Sequence, residues 1–269
     1  MILSKLKIFL PAFLIFGPGC SDPAPKKNQI KTIETVVPKT EAKDSFIVDH
    51  SVFPIRILTT GIFHNDEIPG NAGNMEWVGL FKTQDGYYLS EAKVTSVPVH
   101  DPVLDENESI MTGWEVSTRE KDTSILLMQT LPYLAKRKIK AVKLSKKEIY
   151  PGEKLSFNYL GIDYELSASG NKKKENPDSD WYIVSNYKLY LSAKIDGRRS
   201  KTLLSSHQMF DDAMVALIFA GDIDGDGILD LILDNANHYN VTDPTLFFSR
   251  PAGKGQVVKK AGSFMSVGC

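Results

Sequence analysis

The chain has 269 residues, and its 32 basic and 33 acidic side chains leave a formal net charge of −1. This balance excludes a strongly basic nucleic-acid-binding protein. With only two cysteines, Cys20 and Cys269, a fold held by several disulfides is also excluded.

The first twenty residues have the features of an export signal. Lys5 and Lys7 precede the apolar run 8–16, which has the length of a signal-peptide core and is too short to span a bilayer comfortably. Together with the following Gly17-Pro-Gly-Cys20, the segment resembles a bacterial lipoprotein signal. This resemblance implies removal of residues 1–19 and diacylation of Cys20, which anchors the chain to a membrane. Because Gly17 and Pro18 depart from the usual pattern, an ordinary secretory signal is the alternative.

Residues 20–45 are predicted to form a flexible tether, since their prolines and lysines bury too little apolar surface to offset the entropy of ordering. The resemblance places the protein in the cell envelope, with its globular part periplasmic or extracellular. Ser21, at the position where Asp favours inner-membrane retention, favours the outer membrane. If Cys20 is lipidated, Cys269 is an unpaired thiol, and a bridge between the two cysteines is the alternative.

The remaining body is predicted to be mainly β, built from antiparallel sheets as a sandwich or a partial propeller blade. A boundary near residue 146 divides it into an N-terminal β domain, 46–145, and a C-terminal β domain, 146–269, although one larger domain is also compatible. Hairpins are expected around Gln84-Asp85-Gly86 and Asp196-Gly197. The segment 169–180 is expected to be a loop. Strands are predicted at 77–81, 87–94, 125–131, 138–144, 154–159, 164–168, 182–192, 202–206, 215–220, 228–234 and 244–249.

Four carboxylates alternate with glycine and apolar residues in the stretch 222–230. Ca²⁺ prefers six to eight oxygen ligands, and glycines allow the backbone turns that bring such oxygens together. The spacing therefore predicts a calcium site, and an acidic surface loop that binds nothing is the alternative. The predicted ligands are Asp222, Asp224, Asp226, the carbonyl of Ile228, and Asp230.

An EF-hand would require Glu at position twelve, where this chain has Leu233. Apolar runs at 215–220 and 228–233 instead predict buried strands on both sides of the loop. The stretch 220–233 resembles the calcium loop of FG-GAP repeats, the units of integrin-alpha-type β-propellers, which implies the same ligand set in a loop between two strands. A complete propeller is not implied, because the sequence contains one copy and a propeller needs at least four blades.

Other candidate sites are weaker. The five histidines, at positions 50, 64, 100, 207 and 238, form no zinc signature. The segments 64–67 and 100–101 contain possible metal ligands in sequences that are typical of turns. Residues 234–240 are predicted to be a polar turn, with support for the ion or a ligand-facing loop as alternatives. The basic cluster 136–140 is interpreted as a solvated strand face.

The order of a lipoprotein signal, a β-rich body and one aspartate-rich loop resembles that of uncharacterised bacterial lipoproteins, and this resemblance implies no activity. The sequence predicts an exported, lipid-anchored calcium-binding protein that acts as a non-catalytic binding or accessory module. Its protein or glycan ligand is not predicted. The alternative is a calcium-stabilised hydrolase that acts on an envelope or extracellular polymer.

Overall fold

The structure is a computed structural model that describes residues 53–179 and 181–268. Within these ranges the chain forms eighteen strands and one 3₁₀ turn, Ala72–Asn74. The sheets are antiparallel and form neither a closed barrel nor a propeller, which confirms the predicted fold class. The predicted signal peptide, the tether, Cys20 and Cys269 lie outside the described residues.

The strands, in chain order, are β1 Ile57–Leu58, β2 Gly61–Phe63, β3 Trp77–Thr83, β4 Gly86–Ala92, β5 Val94–Val99, β6 Gly113–Thr118, β7 Thr123–Gln129, β8 Arg137–Ile139, β9 Lys154–Tyr159, β10 Ile162–Lys174, β11 Tyr182–Ile195, β12 Arg198–Met209, β13 Ala216–Gly221, β14 Asp230–Asp234, β15 Val241–Thr242, β16 Pro244–Phe248, β17 Lys259–Ser263 and β18 Ser266–Val267.

A central sheet has the strand order β13-β14-β16-β17, and its two inner strands, β14 and β16, are buried on both faces. Side chains alternate between the faces of a strand, so on β14 Ile232 enters one hydrophobic core and Leu231 enters another. Their partners on β16 follow the same rule, since Leu246 lies opposite Ile232 and Phe247 lies opposite Leu231. Burial on both faces explains why this part of the sequence is a continuous apolar run rather than an alternating one.

Two outer sheets cover the central sheet. The sheet β1-β7-β3-β4-β8 contributes Trp77 and Phe81 to the core that contains Ile232. The sheet β12-β11-β10-β9 contributes Tyr187 and Leu191 to the core that contains Leu231. The described chain therefore forms three stacked β layers, and the loop between β13 and β14 emerges from the middle one.

Smaller sheets complete the fold. Strands β2, β6 and β5 form a three-stranded sheet, and β15 pairs with β18 near the C-terminus. No helix among the described residues is long and apolar enough to cross a membrane.

Most of the predicted strands occur at or near their predicted positions. The turn at Asp196-Gly197 joins β11 to β12, and both residues have positive φ (49° and 76°), as a tight hairpin turn requires. The prediction of a loop over 169–180 was wrong for its first half, because β10 continues to Lys174 and pairs with β11 up to Tyr182. Backbone hydrogen bonds to a neighbouring strand do not require apolar side chains, so the lysines concealed this extension.

The strand predicted at 138–144 was too long, since β8 ends at Ile139. Beyond it the chain turns toward the central sheet, where Ala141 forms an isolated bridge with Gly221 and the N–H of Val142 donates to the carbonyl of Ala220. The division of the body near residue 146 stays a prediction. Strands that follow this position contribute to both cores.

Candidate metal centre

The aspartate-rich loop joins the two buried strands β13 and β14, as the sequence predicts. Gly225 and Gly227 adopt φ values of 80° and 85°, in the left-handed region that side chains with a Cβ rarely adopt. These turns fold the loop back on itself. As a result, one carboxylate oxygen from each of Asp222, Asp224 and Asp226 lies within 4.8 Å of the others, an arrangement that can hold a metal ion.

Two of the three carboxylates also organise the loop. Asp222 Oδ1 accepts hydrogen bonds from the backbone N–H groups of Gly225 (2.6 Å) and Asp226 (3.2 Å), and its Oδ2 accepts from Gly227 (3.0 Å). Asp226 Oδ1 accepts from the N–H of Ile228 at 2.8 Å. These backbone donors hold the acidic side chains on the inner side of the turn.

The third carboxylate, Asp224, is the most buried of the three, with 1% of its surface exposed. Its Oδ2 accepts a hydrogen bond from the N–H of Arg250 at 3.0 Å. Its Oδ1 is buried and has no hydrogen-bond partner among the described residues. Burial, followed by the negative charge of Asp226, raises the pKa of Asp224 to about 7. Arg250 only partly offsets the cost of an ionised carboxylate in this position, and a bound cation would lower that cost further.

Asp230 lies at the base of the loop and is fully buried. Its Oδ2 accepts from the N–H groups of Ile223 (2.6 Å) and Asp224 (2.9 Å), and its Oδ1 accepts from Ser249 (2.7 Å). Burial and the charge of Asp224 raise its pKa well above the ordinary value. Asp230 is not in the group of three converging carboxylates. Its hydrogen bonds connect the end of the loop to its beginning and to Ser249. Its role as a direct ligand stays a prediction.

Ile228 contributes its N–H to the network within the loop. The assignment of its carbonyl as a metal ligand stays a prediction. The oxygen donors that the structure brings together are therefore three of the five predicted ligands, and all three are carboxylates.

Residues from other parts of the chain complete the site. Ser249 Oγ donates to both oxygens of Asp226, at 2.9 and 3.0 Å. The hydroxyls of Tyr159 and Tyr164 accept from the N–H groups of Asp222 (3.0 Å) and Leu229 (3.2 Å). These contacts attach the loop to the segment that follows β16 and to the sheet that contains β9 and β10.

Sequence reasoning missed Ser249 and Arg250, because about twenty residues separate them from the loop. One signal was available: both are polar and directly follow the buried run of β16, the neighbour of β14 in the sheet.

The basic cluster 136–140 was interpreted as a solvated face, yet the guanidinium of Arg137 donates to the carbonyl of Ile223 in the loop. Nothing in the local sequence distinguishes Arg137 from the exposed lysines around it.

The described histidines contact carboxylates or an amide rather than one another. His64 Nδ1 lies 2.6 Å from Asp101 Oδ2, and His100 Nδ1 lies 3.6 Å from Asp105 Oδ2. His207 and His238 contact Asn235 and Asp211, respectively. Within residues 53–179 and 181–268, no group of three metal-capable side chains includes a histidine.

The segment 234–240 forms a polar turn that lies against residues 209–211. The N–H of Tyr239 donates to the carbonyl of Asp211, and the N–H of Asp211 donates to the carbonyl of Asn237. Tyr239 stacks on His238, with 68% of its surface exposed.

Comparison with known proteins gives no relative for this chain: no family model, curated protein or solved structure matches it. The function of the chain is therefore inferred from its own residues and their geometry.

Proposed function

We propose that this protein is an exported, lipid-anchored calcium-binding protein of the cell envelope, whose globular part is a non-catalytic binding or accessory module. The observation that supports calcium binding best is the convergence of one carboxylate oxygen from each of Asp222, Asp224 and Asp226. In addition, Oδ1 of Asp224 is buried and has no hydrogen-bond partner among the described residues. A cation at this point would neutralise the crowded charges and provide that oxygen with a partner.

The chemistry of the donors favours calcium among common cations. All three converging groups are carboxylates, whereas structural zinc sites use cysteine and histidine. Magnesium requires a nearly ideal octahedron at 2.0–2.1 Å and retains several waters, while calcium accepts irregular sets of carboxylates, carbonyls and water. The predicted carbonyl of Ile228 and water would complete its shell.

Calcium in this loop would stabilise the fold rather than switch it. The loop connects two strands of the central sheet, and Ile223 and Leu229, which lie between its aspartates in the sequence, are fully buried. Extracellular calcium modules bind with dissociation constants on the order of 10⁻⁴–10⁻³ M. At roughly 1 mM calcium, binding of this strength contributes about 0.4–1.4 kcal/mol to the free energy of unfolding.

A non-catalytic role is the simpler explanation of the shifted carboxylates. Asp224 and Asp230, the aspartates whose pKa values are raised most, belong to the loop itself. A bound cation accounts for their crowding without any reaction chemistry.

Calorimetric titration with calcium tests the proposal. Wild type is expected to bind one calcium ion, and Asp226→Asn is expected to lose that binding. Asp178→Asn is the matched control, because it removes the same charge from an exposed residue outside the loop. Absence of calcium binding in wild type, or unchanged binding in Asp226→Asn, would refute the proposed site.

The lipid anchor is tested separately, because it depends on the sequence signal at residues 1–20. Expressed with its own signal in a bacterial host, wild type is expected to fractionate with membranes. Cys20→Ser is expected to lose this association, since the thiol that carries the lipid is gone. Cys269→Ser serves as the control and is expected to fractionate like wild type. Identical fractionation of wild type and Cys20→Ser would exclude the anchor.

A further inference from the structure

Two arginines flank the aspartate-rich loop. Arg250 follows β16, and its side chain is 19% exposed. Its guanidinium Nη2 donates to the backbone carbonyl of Asp224 at 3.2 Å, and its Nε lies 3.9 Å from Asp224 Oδ1, the carboxylate oxygen without a hydrogen-bond partner among the described residues. A permanent positive charge therefore lies beside the most buried carboxylate of the site.

The guanidinium of Arg250 is held in place from its other side. It lies over the ring of Tyr133, 4.9 Å from the ring centroid, in a cation–π contact. Tyr133 in turn packs edge-to-face against Phe248 of β16, with ring centroids 6.3 Å apart. The charge of Arg250 is thus a fixed part of the site and not that of a mobile surface side chain.

Arg137 places a second guanidinium against the same loop. It donates to the carbonyls of Tyr133 (3.4 Å) and Ala135 (3.2 Å) in its own turn and to the carbonyl of Ile223 in the loop. A Cβ added at Gly225 would lie only 3.0 Å from Arg137 Nη2, which shows how closely the guanidinium approaches the loop backbone.

These two charges change the electrostatic balance of the site. The loop and its base contain four carboxylates, those of Asp222, Asp224, Asp226 and Asp230. When all four are ionised, the two guanidiniums balance two of them, and the two remaining negative charges match one divalent cation. A trivalent ion of similar size would meet the same two fixed positive charges with a larger charge of its own.

We propose that Arg250, assisted by Arg137, is a specificity-determining residue that lowers the preference of the loop for trivalent over divalent cations. This inference rests on the proposed cation site. Specificity is a difference between two affinities, and the repulsion between a guanidinium and a bound ion is proportional to the charge of the ion. Removal of one guanidinium therefore strengthens trivalent binding more than divalent binding.

The expected size of the effect follows from the geometry. If Asp224 Oδ1 binds the ion at about 2.5 Å, its 3.9 Å separation from Arg250 Nε places that nitrogen at most about 6.5 Å from the ion. One additional unit of charge at this distance changes the affinity about threefold in a medium as polar as water, and more in a less polar one.

The experiment is a pair of calorimetric titrations, with Ca²⁺ and with La³⁺, on wild type and on variants whose folding is checked by circular dichroism. In Arg250→Gln the ratio of La³⁺ to Ca²⁺ affinity is expected to rise at least about threefold. Arg250→Lys, which keeps the charge, and Arg199→Gln, which removes an exposed charge outside the site, are expected to keep the wild-type ratio. A loop that is merely distorted would weaken both ions and leave the ratio unchanged.

Arg137→Gln is titrated in the same way. If Arg250→Gln does not fold, the ratio of La³⁺ to Ca²⁺ affinity in Arg137→Gln tests the inference. If the ratio stays at the wild-type value in every neutral variant that folds, the inference is overturned while the cation site stands. If wild type binds neither ion, the proposed function fails instead.

Discussion

Replacement of Asp224 by asparagine separates two effects on the free energy of unfolding: the cost of a buried negative charge and the stabilisation by a bound ion. The asparagine side chain keeps an oxygen that can accept the N–H of Arg250, but the negative charge is removed from a position that is 1% exposed. A pKa of about 7 instead of the ordinary 3.8 corresponds to a cost of at most about 4 kcal/mol for the ionised carboxylate at neutral pH. In chelator, the variant should therefore be more stable than wild type.

Calcium should reduce the difference in stability between Asp224→Asn and wild type. Wild type gains about 0.4–1.4 kcal/mol at roughly 1 mM calcium, and for a body of this size each kcal/mol raises the melting temperature by about 2–4 °C. We expect the melting temperature of wild type to rise by about 1–6 °C on addition of calcium. That of Asp224→Asn should not change, because a converging carboxylate is missing.

The pH dependence of the stability difference tests whether the buried charge of Asp224 causes it. Because burial raises the pKa of Asp224 in the folded protein, its cost is absent below about pH 4 and grows as the pH rises toward 7. The stability gap between variant and wild type in chelator should therefore widen from about pH 5 to about pH 7.5.

Thermal and urea unfolding, each in chelator and in calcium, measure these quantities, with Asp178→Asn as the charge-matched control. An Asp224→Asn variant that is less stable than wild type in chelator and still responds to calcium would refute this prediction. That result would mean that Asp224 stabilises the loop through its own hydrogen bonds and is not required for binding.

Further predictions concern the rest of the fold. The hydrogen bond to Asp101 raises the pKa of His64. Burial alone would raise the pKa of Asp101, but hydrogen bonds from His64 and from backbone N–H groups outweigh burial and lower it. The pair should therefore contribute most between about pH 4 and 6.5 and lose its contribution as the pH rises through the pKa of His64. His64→Gln should thus destabilise the protein at about pH 5.5 more than at about pH 9 in urea unfolding, and a cost that grows with pH would contradict this explanation. Ile232→Ala and Leu231→Ala should each cost about 2–5 kcal/mol, while Leu203→Ala, at an exposed position, should cost little. If either core substitution costs less than about 1 kcal/mol in urea unfolding, β14 is not buried on both faces.

The part of the site that the sequence predicts is local. Asp222, Asp224 and Asp226 are separated by single residues, and the positive φ values of Gly225 and Gly227 follow from the same short stretch. Convergence of the three carboxylates therefore needs no knowledge of the tertiary fold. The alternative role of Asp230, in hydrogen bonds that close the loop, depends on the position of Ser249, which directly follows the neighbouring strand β16.

The remainder of the site comes from distant segments. Arg250 reaches the loop because β16 lies beside β14 in the central sheet, whereas Tyr133 and Arg137 approach it from the segment that leads into β8 and from β8 itself. A largely apolar run such as 228–233 indicates a strand buried on both faces, but it does not reveal which strands cover it. The extension of β10 to Lys174 was missed for a related reason, since cross-strand pairing and not hydrophobicity maintains it.

The most direct test of the cation site is a crystal structure of the protein grown in calcium, with anomalous diffraction used to locate the ion. One calcium peak is predicted about 2.3–2.6 Å from an oxygen of each of Asp222, Asp224 and Asp226. The same map would show whether the carbonyl of Ile228 and a carboxylate oxygen of Asp230 join the coordination shell. A loop that keeps its three carboxylates together at saturating calcium but shows no peak between them would contradict the proposed site.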